Sequence, residues 1–422
     1  MIRRLHYLAS ALVVGLVGTG CDSPDGGASS NGSGASAAGS AGAGAGGAPT
    51  AASGGTSAGG GAGAPASGGS GEGLDPNDIR GGLSGAGNGT PSGGGAGSGV
   101  EAPPDGGEPA SGTLTFYFVD SEGGQSTVAR LPNGQILVID TGNPGMRDGD
   151  RMLAVLEDEL GATEIDFLLT THYDSDHVGG VPYLAARIGI GQFLDHGATN
   201  APANYLALAN AGTRRSLAAG DVLSLGGVSL HVVSAGGAVI DQPLAGGGAP
   251  NPFCDGAQAT LPNDGIDENI NSVGVVLRFG GFDFLDLGDL LWPREHALAC
   301  PSNQLGSIDL YLTTHHGLAR SGAPQLVRAI QPLAAVMNNG PRKGGGGDTW
   351  STLALAPGGE NVWQVHRAVT APESENAPPD QIANLDEGQA DEATFLTVTV
   401  DASGQFTIAN PRTSFSKAYT SR

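Results

Sequence analysis

Thr171-His172-Tyr173-Asp174-Ser175-Asp176-His177-Val178-Gly179-Gly180 places His172, Asp174, Asp176 and His177 within six residues. The run Ile165-Asp166-Phe167-Leu168-Leu169 leads into it, so the segment reads as a buried strand ending in a loop, with a helix opening near Gly180. A strand end holds such side chains close together on a rigid support. Imidazole nitrogen and carboxylate oxygen both suit zinc, manganese or iron. A solvated loop with two incidental histidines is the plain alternative, and it does not account for the partners that follow.

Those partners stand at the ends of other apolar runs. Gln135 to Ile139 reads as a strand ending in Asp140-Thr141-Gly142, and Gln192 to Leu194 as one ending in Asp195-His196-Gly197. Ser272 to Phe279 and Phe282 to Leu287 form a hairpin across Gly280-Gly281 that ends in Gly288-Asp289. Leu310 to Thr314 ends in His315-His316-Gly317, and Leu333 to Met337 ends in Asn338-Asn339-Gly340-Pro341-Arg342-Lys343. Arg151 to Leu160 and Val181 to Ile188 carry helical spacing, and Phe395 to Val400 with Gln405 to Ile408 looks like a closing hairpin. The alternation predicts an α/β domain with helices covering the outside of a sheet.

The set resembles the metallo-β-lactamase superfamily, whose H-x-H-x-D-H motif is H-x-D-x-D-H here, with Asp174 at the second histidine. This variant is similar to the ComEC-like hydrolase domain and its secreted bacterial relatives, over roughly Thr113 to Val400. The resemblance implies an αββα sandwich and two divalent ions, zinc by default and manganese or iron as options. His172 and Asp174 are expected at one ion, and Asp176, His177 and His316 at the other, with Asp289 between them. A water bridging two such cations loses its proton near neutral pH and attacks the substrate, so Asp176 and Asp289 are the carboxylates on which catalysis depends. Asp140 is expected to orient the metal loop without binding metal. His315 is expected as an outer or substrate contact. The third metal motif lacks its histidine: Val228 to Gly237 ends in Ser234-Ala235-Gly236-Gly237, and His231 lies inside the strand. That leaves the first position one nitrogen short. His196 is a candidate extra ligand or substrate contact, or else a surface loop histidine.

Arg342 and Lys343, with Asn339 before them, sit on a glycine-rich loop that is either a clamp for an anionic group or a flexible solvated loop. Trp363-Gln364-Val365-His366 recurs in similar secreted proteins and is expected near the pocket. The chain carries a formal charge of -23, which disfavours tight binding to nucleic acid. A phosphoester or phosphodiester is the expected substrate, with a lactone or thioester as the alternative within the fold. An inactive surface binding protein on the same scaffold is the alternative from another class.

Met1 to Cys21 has a basic start, an apolar stretch and Thr19-Gly20-Cys21, the shape of a secretory signal with a lipobox-like end. Lipidation of Cys21 would anchor an exported protein to a membrane. Residues 22–112 are low-complexity Gly, Ala and Ser, read as a disordered tether to a domain at 113–422. Its reach is on the order of 50 Å. Cys254 and Cys300 remain as a pair suited to an oxidising compartment. Cys254 lies in a long Gly- and Pro-rich insertion, Asp241 to Asn271, that can wall the site.

Overall fold

Alternation within single strands sets the layers. Val275 and Leu277 enter a central core while Val276 between them enters an outer one, and Leu310 and Leu312 are divided in the same way from Tyr311. A strand buried on both faces in this manner needs a layer on each side. The computed structural model describes residues 111–254, 267–388 and 393–422, and supplies those layers. The leader, Cys21 and the tether up to residue 110 lie outside the described residues, as does the middle of the insertion.

Two large sheets stack face to face. One is nine-stranded and runs, in spatial order, Phe415–Thr420, Gln405–Asn410, Leu396–Asp401, Thr113–Phe118, Thr127–Arg130, Ile136–Ile139, Glu164–Leu169, Gly189–Asp195 and Thr213–Ser216. The other runs Ile382–Asn384, Val362–His366, Ala334–Met337, Leu310–Leu312, Phe282–Asp286, Gly274–Phe279, Val228–Ala235 and Val222–Leu225, with Ala238–Val239 paired at one end. Leu114, Phe116, Phe118, Leu137 and Ile139 of the first sheet meet Leu277, Phe282, Phe284, Val336 and Trp363 of the second. Phe116 packs on Phe284 with ring centroids 4.8 Å apart. Helices cover both outer faces. Met152, Val155, Leu156, Val181 and Leu184 pack on Val138 and Leu168, while Leu298, Leu326, Val327, Ile330 and Leu353 pack on Leu285, Ala335 and Met337. The expected αββα sandwich is the observed architecture.

Parallel segments in each sheet decide where function sits. Ile136–Ile139, Glu164–Leu169 and Gly189–Asp195 are parallel neighbours, and so are Phe282–Asp286, Leu310–Leu312, Ala334–Met337 and Val362–His366. Their carboxyl ends are the edges at which α/β sheets gather ligand-binding loops. Asp140, the 171–177 segment, Asp289, His315 and His316 all follow such ends.

Several elements differ from the expected ones. The helix expected at Arg151 to Leu160 begins earlier, at Met146–Leu153, and continues as a wider turn over Ala154–Glu159. Its start is fixed by Asp148, whose carboxylate accepts from the Asn143 amide at 2.7 Å. Trp292–Ala299 and Pro324–Ile330 each open on a proline in the first turn, where the missing N–H costs nothing. A third strand, Phe415–Thr420, extends the closing hairpin.

Cys254 and Cys300 are joined by a disulfide, with Cα atoms 5.7 Å apart and a sequence separation of 46. It ties the insertion to the end of helix Trp292–Ala299, next to the short pairing of Ala249–Pro250 with Ser302–Asn303. Chain-entropy arguments assign such a closure about 4 kcal/mol. Replacing both cysteines with serine is expected to lower the unfolding free energy by ~2–4 kcal/mol in urea titrations, with reductant giving the same loss in the unaltered chain. Equal stability in both forms would show that the strand pair alone holds the insertion.

Candidate metal centre

The 171–177 segment leaves Leu169 at the end of its strand and turns into a short helix, Ser175–Val178. Asp140 sets its path. Its Oδ1 accepts from the Thr171 amide at 2.8 Å, and its Oδ2 lies 2.7 Å from His177 Nδ1. A carboxylate on Nδ1 keeps the proton there and leaves the Nε2 lone pair free. Asp140 adopts a left-handed backbone, φ 58°, to reach both partners.

His177 Nε2 faces three other donors. It lies 3.4 Å from Asp176 Oδ2, 3.2 Å from Asp289 Oδ2 and 3.3 Å from His316 Nε2. His316 Nε2 is in turn 3.3 Å from each of the two carboxylates. A tetrahedral ion with bonds of about 2.0–2.1 Å has donor–donor edges of roughly 3.3–3.4 Å. The five measured edges fit that cage, so the residues present suit a zinc-sized cation. His177, Asp289 and His316 are buried, and Asp176 is mostly so.

The electrostatics agree with a cation site. Burial works against the Asp176 carboxylate, yet hydrogen bonds from His177 and His316 and the charge of Lys343 hold its pKa well below the usual range. Asp289 is also opposed by burial and also held low, by His177, His316 and His315. Burial would depress His177, but Asp289 and Asp140 raise it well above an ordinary imidazole. His315 is pushed down to about 4, chiefly by burial.

His315 and His316 form one device. Both take left-handed backbone, φ 56° and 55°, which turns two consecutive rings toward Asp289. Such conformations cost energy in non-glycine residues and concentrate at functional sites. His316 joins the four-donor cage, and its Nδ1 has no hydrogen-bond partner among the described residues. His315 Nε2 stands 3.3 Å from Asp289 Oδ2, and its Nδ1 is 3.2 Å from Ser321 Oγ.

The other expected residues are distributed unevenly. His172 is buried beside His177, ring centroids 4.0 Å apart, and its Nε2 lies 3.6 Å from Asp174 Oδ2. His172 Nε2 and Asp289 Oδ1 are buried without hydrogen-bond partners among the described residues. Asp174 is half exposed, and neither it nor His172 belongs to the four-donor cage. Lys343 Nζ pairs with Asp176 Oδ2, whereas Arg342 turns to Glu387 at 2.9 Å, so the two do not form a joint clamp. His196 is also elsewhere: its Nε2 binds Glu268 Oε1 at 2.9 Å and its ring packs on Tyr173. His366 directs both ring nitrogens to backbone carbonyls, of Arg367 and Asp386, and Asn339 donates to the His366 carbonyl at 2.6 Å. These two brace neighbouring strand ends. Ser234, where the third motif lacks its histidine, splices strands by donating to the Ser272 carbonyl and accepting from the Gly274 amide.

Three residues with no motif of their own complete the surroundings. Asn269 Nδ2 is 3.4 Å from His315 Nε2, so the far end of the insertion does wall the site. Gln125 Nε2 donates to buried Asp286 at 2.7 Å, and Asn338 Nδ2 reaches Gln125 Oε1 at 3.3 Å. Burial raises the Asp286 pKa to about 7.

Residues 120–244 match the family model of the metallo-beta-lactamase superfamily. No curated protein matches the chain. Among solved structures it is similar to CmlA, a diiron beta-hydroxylase from Streptomyces venezuelae, with 16% identity and a TM-score of 0.34 over 54% of this chain and 44% of that one. The chain thus spans less than half the length of CmlA. The metallo-beta-lactamase fold protein YhfI from Bacillus subtilis shows 10% identity and a TM-score of 0.39 over 60% of this chain and 96% of that one. A diphosphatase from the PhnP family shows 14% identity and a TM-score of 0.30 over 54% and 87%. Two mixed sheets between helices, the matched segment around Asp140 and His177, and the buried His/Asp cage agree: the chain has the metallo-beta-lactamase-type fold, with the donor set of a metal-dependent hydrolase of that fold.

Proposed function

We propose that the chain is an exported metal-dependent hydrolase acting on phosphoesters or phosphodiesters. The hydrolase reading is carried by the cage of Asp176, His177, Asp289 and His316, with its 3.2–3.4 Å edges. A divalent cation held there, zinc or, given the oxygen-rich set, manganese or iron, supplies Lewis acidity and lowers the pKa of water. This chain's residues do the rest. Asp140 keeps the His177 proton on Nδ1, while Asp176 and Asp289 stay ionised beside the reacting group. Asn269 closes the site on the insertion side.

Two buried atoms without partners, His172 Nε2 and Asp289 Oδ1, support a second ion. His172, Asp174 and the free oxygen of Asp289 then form the other position. His315 is the candidate for the part of the missing third-motif histidine, since its Nε2 reaches the same carboxylate, 3.3 Å from Asp289 Oδ2 on the cage side. The phosphoester class is supported by the likeness of H-x-D-x-D-H, G-D and H-H-G to the ComEC-like hydrolase domain. Export and membrane attachment through Cys21 follow from the leader, and acyl-chain mass on Cys21 of the protein from its native host would test them.

Full-length protein is expected to carry two metals per chain by elemental analysis and to hydrolyse bis-p-nitrophenyl phosphate. Asp289→Ala should lose metal and turnover together. Two metals without turnover would redirect the search to lactones and thioesters, and less than half a metal per chain would favour a binding protein. His315→Ala should fall to one metal per chain, and a retained second ion would remove His315 from the ligand set. Because the His177 pKa is raised, metal must displace its proton near pH 7, so calorimetry in buffers of different ionisation enthalpy should show about one proton released at that residue per cage filled. Asp140→Asn tolerates the left-handed backbone but presents an amide to His177 Nδ1. It should weaken metal affinity about 10–100-fold in chelator competition.

A further inference from the structure

The centre described so far is built of carboxylates and imidazoles, and its fixed cation is Lys343. We propose that Lys343 is the anion-recognition residue of this centre, its ammonium binding a non-reacting anionic oxygen of the substrate at the solvent side of the cage. The proposal rests on the phosphoester reading above and names the residue that separates an anionic from a neutral ester.

Position comes first. Lys343 Nζ is ion-paired with Asp176 Oδ2, the same oxygen that lies 3.4 Å from His177 Nε2 and 3.3 Å from His316 Nε2. The lysine side chain is 38% exposed while both imidazoles are fully buried, so the ammonium marks the boundary between cage and solvent. An anion approaching the cage from that side meets it.

Backbone on two sides fixes that position. Gly123, at φ 99°, leaves the space through which the lysine stem passes, since a Cβ there would stand 2.7 Å from Lys343 Cβ. Gly344, at φ 79°, packs on the backbone of the cage residue itself, where a Cβ would come within 1.9 Å of the His316 carbonyl oxygen. The Gly345 amide donates to that same carbonyl at 3.0 Å, and the Gly340 amide to the Lys343 carbonyl at 2.8 Å. The loop carrying the lysine is therefore stapled to the loop carrying a metal donor.

Residue type supports the same reading. The chain has 19 basic residues, of which only Lys343 and Lys417 are lysines, so lysine is not its default cation. Arg342 next to it pairs with Glu387 at the surface. An ammonium is compact and carries three rotatable donors, so one N–H can hold Asp176 while another meets a phosphoryl oxygen. In a chain of charge -23, a local cation is what allows an anion to enter a site lined by Asp174, Asp176 and Asp289.

The test compares full-length, metal-loaded protein with Lys343→Met. It uses bis-p-nitrophenyl phosphate, neutral p-nitrophenyl acetate, inorganic phosphate as competing anion, and metal content per chain. The proposal expects kcat/KM on the phosphodiester to fall roughly 10- to 100-fold. Phosphate inhibition should weaken in parallel, with the neutral ester and the metal content unchanged. Equal loss on both esters, unchanged phosphodiester turnover, or metal lost with the lysine would each overturn it. If the metal-loaded wild type leaves the phosphodiester intact, the phosphoester reading falls. Calorimetric binding of inorganic phosphate then decides Lys343 separately: weakening in the variant supports the proposal, and equal binding overturns it.

Discussion

His177 is gripped at both ends of its ring, and much of the site depends on that grip. Nδ1 rests on Asp140, while Nε2 faces Asp176, Asp289 and His316. Charges taken out of water cost several kcal/mol each unless they are paired. Here each carboxylate is set against an imidazole, and the raised His177 and depressed Asp289 are two views of one interaction. Such a cluster gains little for folding by itself, since an apolar core of equal volume is often as stable. Its cost is understandable if a cation completes it. The sandwich can meet that cost because its central core, from Phe116 to Trp363, is apolar and buried.

The parts legible in the sequence share one property: each is local. A strand end followed by a cluster of donors reads as a site because the strand fixes direction and the donors are adjacent. The 171–177 segment could be placed in this way, and apolar runs of two periods marked strands with helices outside a sheet, whereas the parts of Asp140, Asp289 and His316 and the αββα layering came from the resemblance to the metallo-β-lactamase superfamily. Contacts that join distant segments left no such mark. Lys343 meets Asp176 across 167 residues and Gln125 meets Asp286 across 161, and no periodicity records either pairing. Helices were hidden for a different reason. Proline reads as a breaker, yet Pro293 and Pro324 each stand in a first helical turn.

Other residues that the sequence offered for the pocket meet their partners for equally physical reasons. His196 follows a parallel strand and His366 ends one, and each is engaged by acceptors beside it. Glu268 captures His196, and backbone carbonyls capture His366. The insertion supplies Glu268 together with Asn269, so one short helix, Glu268–Asn271, withdraws one histidine and walls another. The disulfide at the insertion's other described end gives that helix a second anchorage along the chain.

Charge balance connects the cage to what it can admit. The chain is strongly acidic, and Asp174, Asp176 and Asp289 line the centre, so an anion is repelled both at long range and on arrival. A divalent ion that displaces one proton from His177 leaves the cage one unit more positive than before. Asp176 would share its charge with an ion held there, which would loosen its claim on Lys343. Loading would thus cancel the excess negative charge of the cage rather than reverse it, and would free a donor of Lys343 at the cage mouth. On the proposed phosphoester reading, screening over about 8–10 Å would leave a compact anion facing chiefly the charges of the cage and the Lys343 ammonium.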